Sequence, residues 1–269
     1  MDDELLQPGS DEEGYEEAPV IPGELPATIR KLTWDNIGER FYKAGLDRGV
    51  IYLMRNDSYE SGIAWSGLTG IDDNSAGREK MALYTNDFKR ALLFTPYEHA
   101  GTIKCFTYPL AFEECIGNAQ LTTGLLSKGS DGIPFGFTYR TKIGNDLNKD
   151  AGYEIHIVYR AYITEAKDGT ETLGRDVKAN EFSFSYESVC EDFSLGDPVS
   201  HLVINSMYVS SDKLSSLEKA LYGSVDSNPY LPLPDEIYSM LYDRGDAPEE
   251  QYYPSDSRYP ANGVYPIEP

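Results

Sequence analysis

Hydrophobic and polar residues alternate with period two through the middle of the chain. Tyr153, Ile155, Ile157, Tyr159, Ala161 and Ile163 fall on one face of a run whose other face carries Glu154, His156, Val158, Arg160 and Tyr162. Phe182, Phe184 and Tyr186 alternate in the same way with Ser183, Ser185 and Glu187. Alternation of this kind predicts strands of an antiparallel sheet with one face buried. Shorter strands are expected at 49–54, 63–71, 80–85, 90–95, 101–108, 134–142 and 200–206. Between them lie turn-forming clusters: Thr122-Thr123-Gly124, Gly129-Ser130-Asp131-Gly132, Lys167-Asp168-Gly169 and Gly196-Asp197-Pro198. Many strands punctuated by turns predict a mainly β fold, an antiparallel sandwich or barrel-like body.

The period changes near the end of this region. Leu214, Leu217 and Leu221 stand at i, i+3 and i+7, with Ala220 in the same stripe, and predict an amphipathic helix over 211–222. Ser210 or Ser211 can cap it, Asp212 complements the dipole in the first turn, and Gly223 ends it. A single such helix beside sheets is expected to cover an open end of the core, which gives these three leucines a structural role. A shorter helix is expected at 235–242, after Pro234.

Charge divides the chain into three parts. Of 269 residues, 45 are Asp or Glu and 23 are Lys or Arg, for a formal net charge of -22. Residues 1–29 hold nine acids and no base, and 225–269 hold nine acids and two bases, so the middle carries only -6. The first 31 residues, with four prolines and no apolar period, read as an acidic extended arm. Residues 32–224 form the β domain with its flanking helix. Residues 225–269 hold seven of the 21 tyrosines and eight of the 16 prolines and read as an extended C-terminal strap. Tyrosine gives contact area at low entropic cost, so this composition suits lying along another surface, with a solvated tail as the alternative. The acidity argues against wrapping nucleic acid, since no cluster of Lys and Arg is present to replace counterions. No run approaches the roughly 18 apolar residues of a membrane span. The acidic Met1-Asp2-Asp3-Glu4 is the wrong sign for an export signal.

Catalytic chemistry finds little support. His99, His156 and His201 do not stand at metal-ligand spacing from one another or from a cysteine. His156, in mid-strand, is expected to face solvent or a neighbouring subunit. Cys105, Cys115 and Cys190 are too few for a disulfide scaffold and are expected to pack as small hydrophobes. No phosphate-binding loop, dinucleotide fingerprint or nucleophile elbow occurs. Carboxylate pairs could be drawn anywhere among 45 acids and carry no information. Arg244-Gly245-Asp246 and Asn56-Asp57-Ser58 match adhesion and glycosylation motifs by spelling alone. No enzyme activity, cofactor or metal is expected.

Several blocks carry a resemblance. Leu32-Thr33-Trp34-Asp35, Gly38-Glu39-Arg40-Phe41-Tyr42 and Gly45-Leu46-Asp47-Arg48-Gly49-Val50 come first, then Ala64-Trp65-Ser66-Gly67-Leu68-Thr69. Thr107-Tyr108-Pro109 with Phe112-Glu113-Glu114-Cys115 follows, and then Phe135-Gly136-Phe137-Thr138-Tyr139-Arg140-Thr141 with Gly144-Asn145-Asp146. Gly152 to Tyr159 and Leu231-Pro232-Leu233-Pro234-Asp235-Glu236 complete the set. In this order, over roughly 32–242, they resemble major tail proteins of long, non-contractile phage tails; the acidic arm and the final tail depart from that pattern.

The resemblance implies a β-sandwich with a flanking helix that forms hexameric rings. These rings stack into a tube that conducts DNA from capsid to cell without gripping it. It further implies assembly with tape measure, terminator and distal tail proteins, and a place in the virion after synthesis in the host bacterial cytoplasm. The polar, Gly-rich stretches 55–62, 72–79 and 117–133 are candidate contacts between subunits. In the last, Leu121, Leu125 and Leu126 argue for a partner surface over solvent, since a long connection inside a compact domain is usually functional or disordered. Three other readings remain open. A terminator or decoration subunit lies within the tail class, and a monomeric carbohydrate-binding sandwich lies outside it. A carboxylate-pair hydrolase would need a cleft with two carboxyls about 5–9.5 Å apart.

Overall fold

The computed structural model describes residues 34, 37–75, 80–85, 87–94, 99–169 and 180–242. The chain divides into Met1–Asn36 and Ile37–Pro269, and only Trp34 of the first unit is described. The acidic arm and the tail beyond 242 lie outside the described residues. The second unit is mainly β and antiparallel, as the alternation predicts.

Its strands are β1 (Tyr42–Arg55), β2 (Ser58–Tyr59), β3 (Ile63–Trp65), β4 (Leu68–Asp73), β5 (Lys80–Thr85), β6 (Phe88–Phe94) and β7 (Ala100–Cys105). A 3-10 turn at Leu110–Phe112 and the short helix α1 (Glu113–Ile116) follow. Then come β8 (Asn118–Thr122), β9 (Leu125–Lys128), β10 (Phe135–Gly144), β11 (Gly152–Lys167), β12 (Phe182–Ser188) and β13 (His201–Asn205). Helices α2 (Ser211–Tyr222) and α3 (Pro234–Leu241) close the described chain. Nine strands form one sheet in the order β2-β1-β10-β11-β12-β7-β4, with β3 also on β1 and β13 on β11. The order has two ends, so the described sheet is open and not a barrel. The strand expected at 63–71 is two strands, because Gly67 at φ 92 turns the chain between them.

Both faces of this sheet are buried, not one. Ile51 and Leu53 pack with Trp65, Ile103, Phe112, Cys115, Phe135, Phe137 and Phe184 in one cluster. The alternate residues Val50 and Tyr52 pack with Ile155, Ile157, Tyr159 and Leu217 in a second. Helix α2 covers the second face with Leu214, Leu217, Ala220 and Leu221, all buried. Ser210 stands at its N-cap; its carbonyl accepts the Leu214 N–H at 3.0 Å while its side chain makes no capping bond. The described part of the expected strap, 225–242, joins the same face through Leu231 and Ile237. The Tyr159 hydroxyl anchors it by donating to the Pro232 carbonyl at 2.9 Å.

A bulge corrects the alternation read along β11. Phe135 pairs with Ala161 but Phe137 with Val158, so β11 has one residue more than β10 over this step. Arg160, at φ 41, absorbs it. Ala161 and Ile163 therefore cross from the face of Tyr159 to that of Val158 and pack with the first cluster. Beyond the bulge the sheet forks. Glu154 to Val158 pair with β13 and Ala161 to Lys167 pair with β12 along the same edge of β11.

Candidate assembly surface

Two hairpins carry apolar residues that neither cluster covers. Among the described residues, strands β5 and β6 pair only with each other, with Met81 opposite Leu93 and Ala82 opposite Leu92. Phe88, Tyr84 and Met81 are 68%, 67% and 65% exposed, and Leu83, Leu92 and Leu93 are exposed as well. A two-stranded ribbon is marginal in water, and contiguous apolar exposure marks an interaction surface. The expectation of plain strands at 80–85 and 90–95 missed this role. An apolar run reads the same whether its own domain or a neighbour buries it.

The second hairpin corrects the expectation of an irregular connection at 117–133. Strands β8 and β9 pair through a tight turn in which Gly124 adopts φ 82. The hairpin's base is locked to α1: Gly117, at φ 85, closes the helix, and its carbonyl accepts the N–H of Ser130 at 2.8 Å. A Cβ on Gly117 would lie 2.2 Å from the Ser130 carbonyl oxygen, so only glycine fits. Leu121, Leu125 and Leu126 are all exposed on this hairpin. The stretch 55–62 proves to be a hairpin turn, with Asn56 and Asp57 at φ 50 and 61 between β1 and β2. Of 72–79, residues 76–79 lie outside the described residues. Among the described residues, strand β4 ends the sheet and β13 pairs only with β11, so both present backbone groups to which another strand can add.

Charged pairs tie β1 to β10 and to α2. Arg140 on β10 donates to both carboxylate oxygens of Asp47 on β1, at 2.7 and 2.9 Å. Arg48 reaches Glu218 on α2 at 3.2 Å and ties the helix to the same strands. Hydrogen bonding from Arg140 holds the Asp47 carboxyl below its ordinary 3.8.

The three histidines, distant in sequence, meet at the fork of the sheet. His156 is buried, correcting the expectation that it faces solvent or a subunit; it stacks on Tyr139 with ring centres 4.4 Å apart. Its Nδ1 lies 3.2 Å from Nε2 of His201, whose ring lies 4.3 Å from that of His99. Burial pushes His201 down to about 3 and His156 down to about 4, so both are neutral near pH 7. Cys105 and Cys115 are buried in the first cluster, and burial pushes the Cys105 thiol up to about 11. Buried thiols held protonated are poor nucleophiles.

No protein-family model and no curated protein matches the chain. Among solved structures, similarity extends to the sheath–tube complex of an extracellular contractile injection system (PVC) in its extended state. That match has 10% identity over 59% of this chain and 88% of the other, at TM-score 0.33. The tube-terminating cap of the anti-feeding prophage matches at 10% identity over 68% of this chain and 100% of the other, at TM-score 0.35. Its six-fold symmetrised baseplate matches at 8% identity over 64% and 97%, at TM-score 0.32. Likenesses at these scores establish neither a shared fold nor a shared role.

Proposed function

We propose that the chain is a structural, non-catalytic subunit of a long phage tail, and within it of the tail tube. Rings of six subunits stack into a conduit through which DNA passes without specific contacts, joined at its ends and interior by other tail proteins. The observation that carries this reading is the β5–β6 hairpin, an apolar ribbon outside a main sheet that is already covered on both faces. Among the described residues nothing covers this ribbon, and it suits burial by the next subunit. The ordered resemblance over 32–242 supports the choice of the tube over other assemblies. Head-to-tail contacts between rings do not close, so stacking can continue.

Sedimentation and negative-stain imaging of purified protein test the reading. The expected species are monomer with exposed hairpins and polymer of rings. The double variant Phe88→Ser/Leu93→Ser should remove the polymer and leave a folded monomer. A discrete dimer at all concentrations would count decisively against the tube.

A further inference from the structure

Three strand ends converge at the fork of the sheet, and the side chains there are those that bind transition metals. Asp73 ends the edge strand β4, His99 immediately precedes β7, and His201 opens β13. One donor atom from each lies within 4.8 Å of the other two. The Nδ1 of His99 lies 3.8 Å from Oδ1 of Asp73. The hydroxyl of Ser75 bridges those two groups, 2.9 Å from the His99 nitrogen and hydrogen-bonded to the Asp73 carboxylate.

We propose that Asp73, His99 and His201 bind one divalent transition-metal cation of the zinc class, with a water or the Ser75 hydroxyl as fourth ligand. Two imidazoles and a carboxylate make a borderline donor set that suits zinc and not calcium or magnesium, which take oxygen ligands. The surrounding groups are arranged as outer partners of such ligands. The Tyr186 hydroxyl lies 3.2 Å from Nε2 of His99 and leaves Nδ1 to face the carboxylate. Gly101 makes room for that hydroxyl: a Cβ there would stand 2.5 Å from it. Behind His201, the Nδ1 of His156 lies 3.2 Å from Nε2, and the Nε2 of His156 faces Glu154 at 3.5 Å. A partner on the far ring nitrogen orients a metal-binding imidazole. Both branches of the fork contribute: His201 belongs to the β13 branch, and Asp73 and His99 belong to the β12-β7-β4 branch. The cation therefore staples two parts of the sheet that are not hydrogen-bonded to each other along their length. Asp73 and His99 also flank the β5–β6 hairpin in sequence.

The site belongs to the isolated chain, so its test is independent of assembly. Full-length protein treated with chelator is titrated with Zn2+ by calorimetry and with Co2+ by visible absorption. The expected result is uptake of about one Zn2+ per chain, a rise in melting temperature, and the strong visible bands of four-coordinate Co2+. Asp73→Asn, whose side chain is 58% exposed and so can be changed without opening the core, should weaken uptake by about tenfold or more. His201→Gln should do the same, while Glu12→Gln/Glu13→Gln in the acidic arm should change nothing. Absence of uptake would overturn the proposal. So would uptake that Asp73→Asn and His201→Gln leave intact, or Co2+ absorbing only as the aquo ion.

Discussion

At the scale of single residues, the fold depends on a few positions whose neighbours force an unusual conformation. Arg160 is the clearest. Its positive φ turns β11 over, and that conformation is held from three sides. The Arg160 N–H donates to the Tyr59 hydroxyl at 3.0 Å, and its guanidinium reaches Glu191 at 3.1 Å and Asp57 at 2.8 Å. Tyr59 in turn donates to Glu191 at 2.8 Å. Tyr59→Phe removes the acceptor of one bond and the donor of another, and should cost about 1–3 kcal/mol in urea unfolding. A variant as stable as the parent would mean that the bulge is held by packing alone. Asp47 supports a prediction in pH. Its carboxyl is depressed in the folded state, so the stability it contributes is complete above the unfolded value of 3.8 and is lost as pH falls below it. Asp47→Asn should therefore show a flatter decline in urea midpoint than the parent below about pH 4. Parallel declines would show that the Arg140 pair contributes nothing there.

At the scale of elements, what could be read from the chain followed from how local the determining forces are. Helix α2 was legible to the residue because spacing, dipole complement and the terminal glycine all lie within it. Leu217 is fully buried on the second face, so Leu217→Ala should cost about 2–5 kcal/mol, and an unchanged melting temperature would show that α2 does not hold the sheet. The strands were legible by alternation until a bulge shifted it, because a bulge is a property of two strands and one of them is distant in sequence. The histidine cluster was illegible for the same reason: His99, His156 and His201 meet only once β7, β11 and β13 share a sheet. The β8–β9 hairpin was half legible. Its apolar residues pointed to a partner and its turn clusters were read as turns, but the strands between them were not. Deleting 121–129 leaves the Gly117 base and should yield a folded monomer by circular dichroism that does not assemble. Tubes that still form would remove this hairpin from the interface.

At the scale of the whole molecule, the two faces of the main sheet and the two hairpins divide the work of stability and association. The core clusters are complete within one subunit, since Ile51, Phe135, Ile157, Tyr159 and Leu217 are sealed without help from a neighbour. The β5–β6 ribbon is incomplete by the same measure, with apolar side chains exposed along both strands. Backbone amides exchange hydrogen at rates set by local opening, which is costly in a sealed core and easy in an uncovered ribbon. Hydrogen exchange compared between monomer and assembled tube should therefore separate the two classes. Amides of β10, β11 and α2 should be slow in both states. Amides of β5 and β6 should be fast in the monomer and slow in the tube, and β8 and β9 should follow if their leucines are also covered. The edge strands β4 and β13 give a second readout, since strand addition there would slow amides that have no partner strand among the described residues. If β5 and β6 exchange equally fast in both states, the ribbon does not carry the interface. Tubes held together without it would then have to join through the sheet edges.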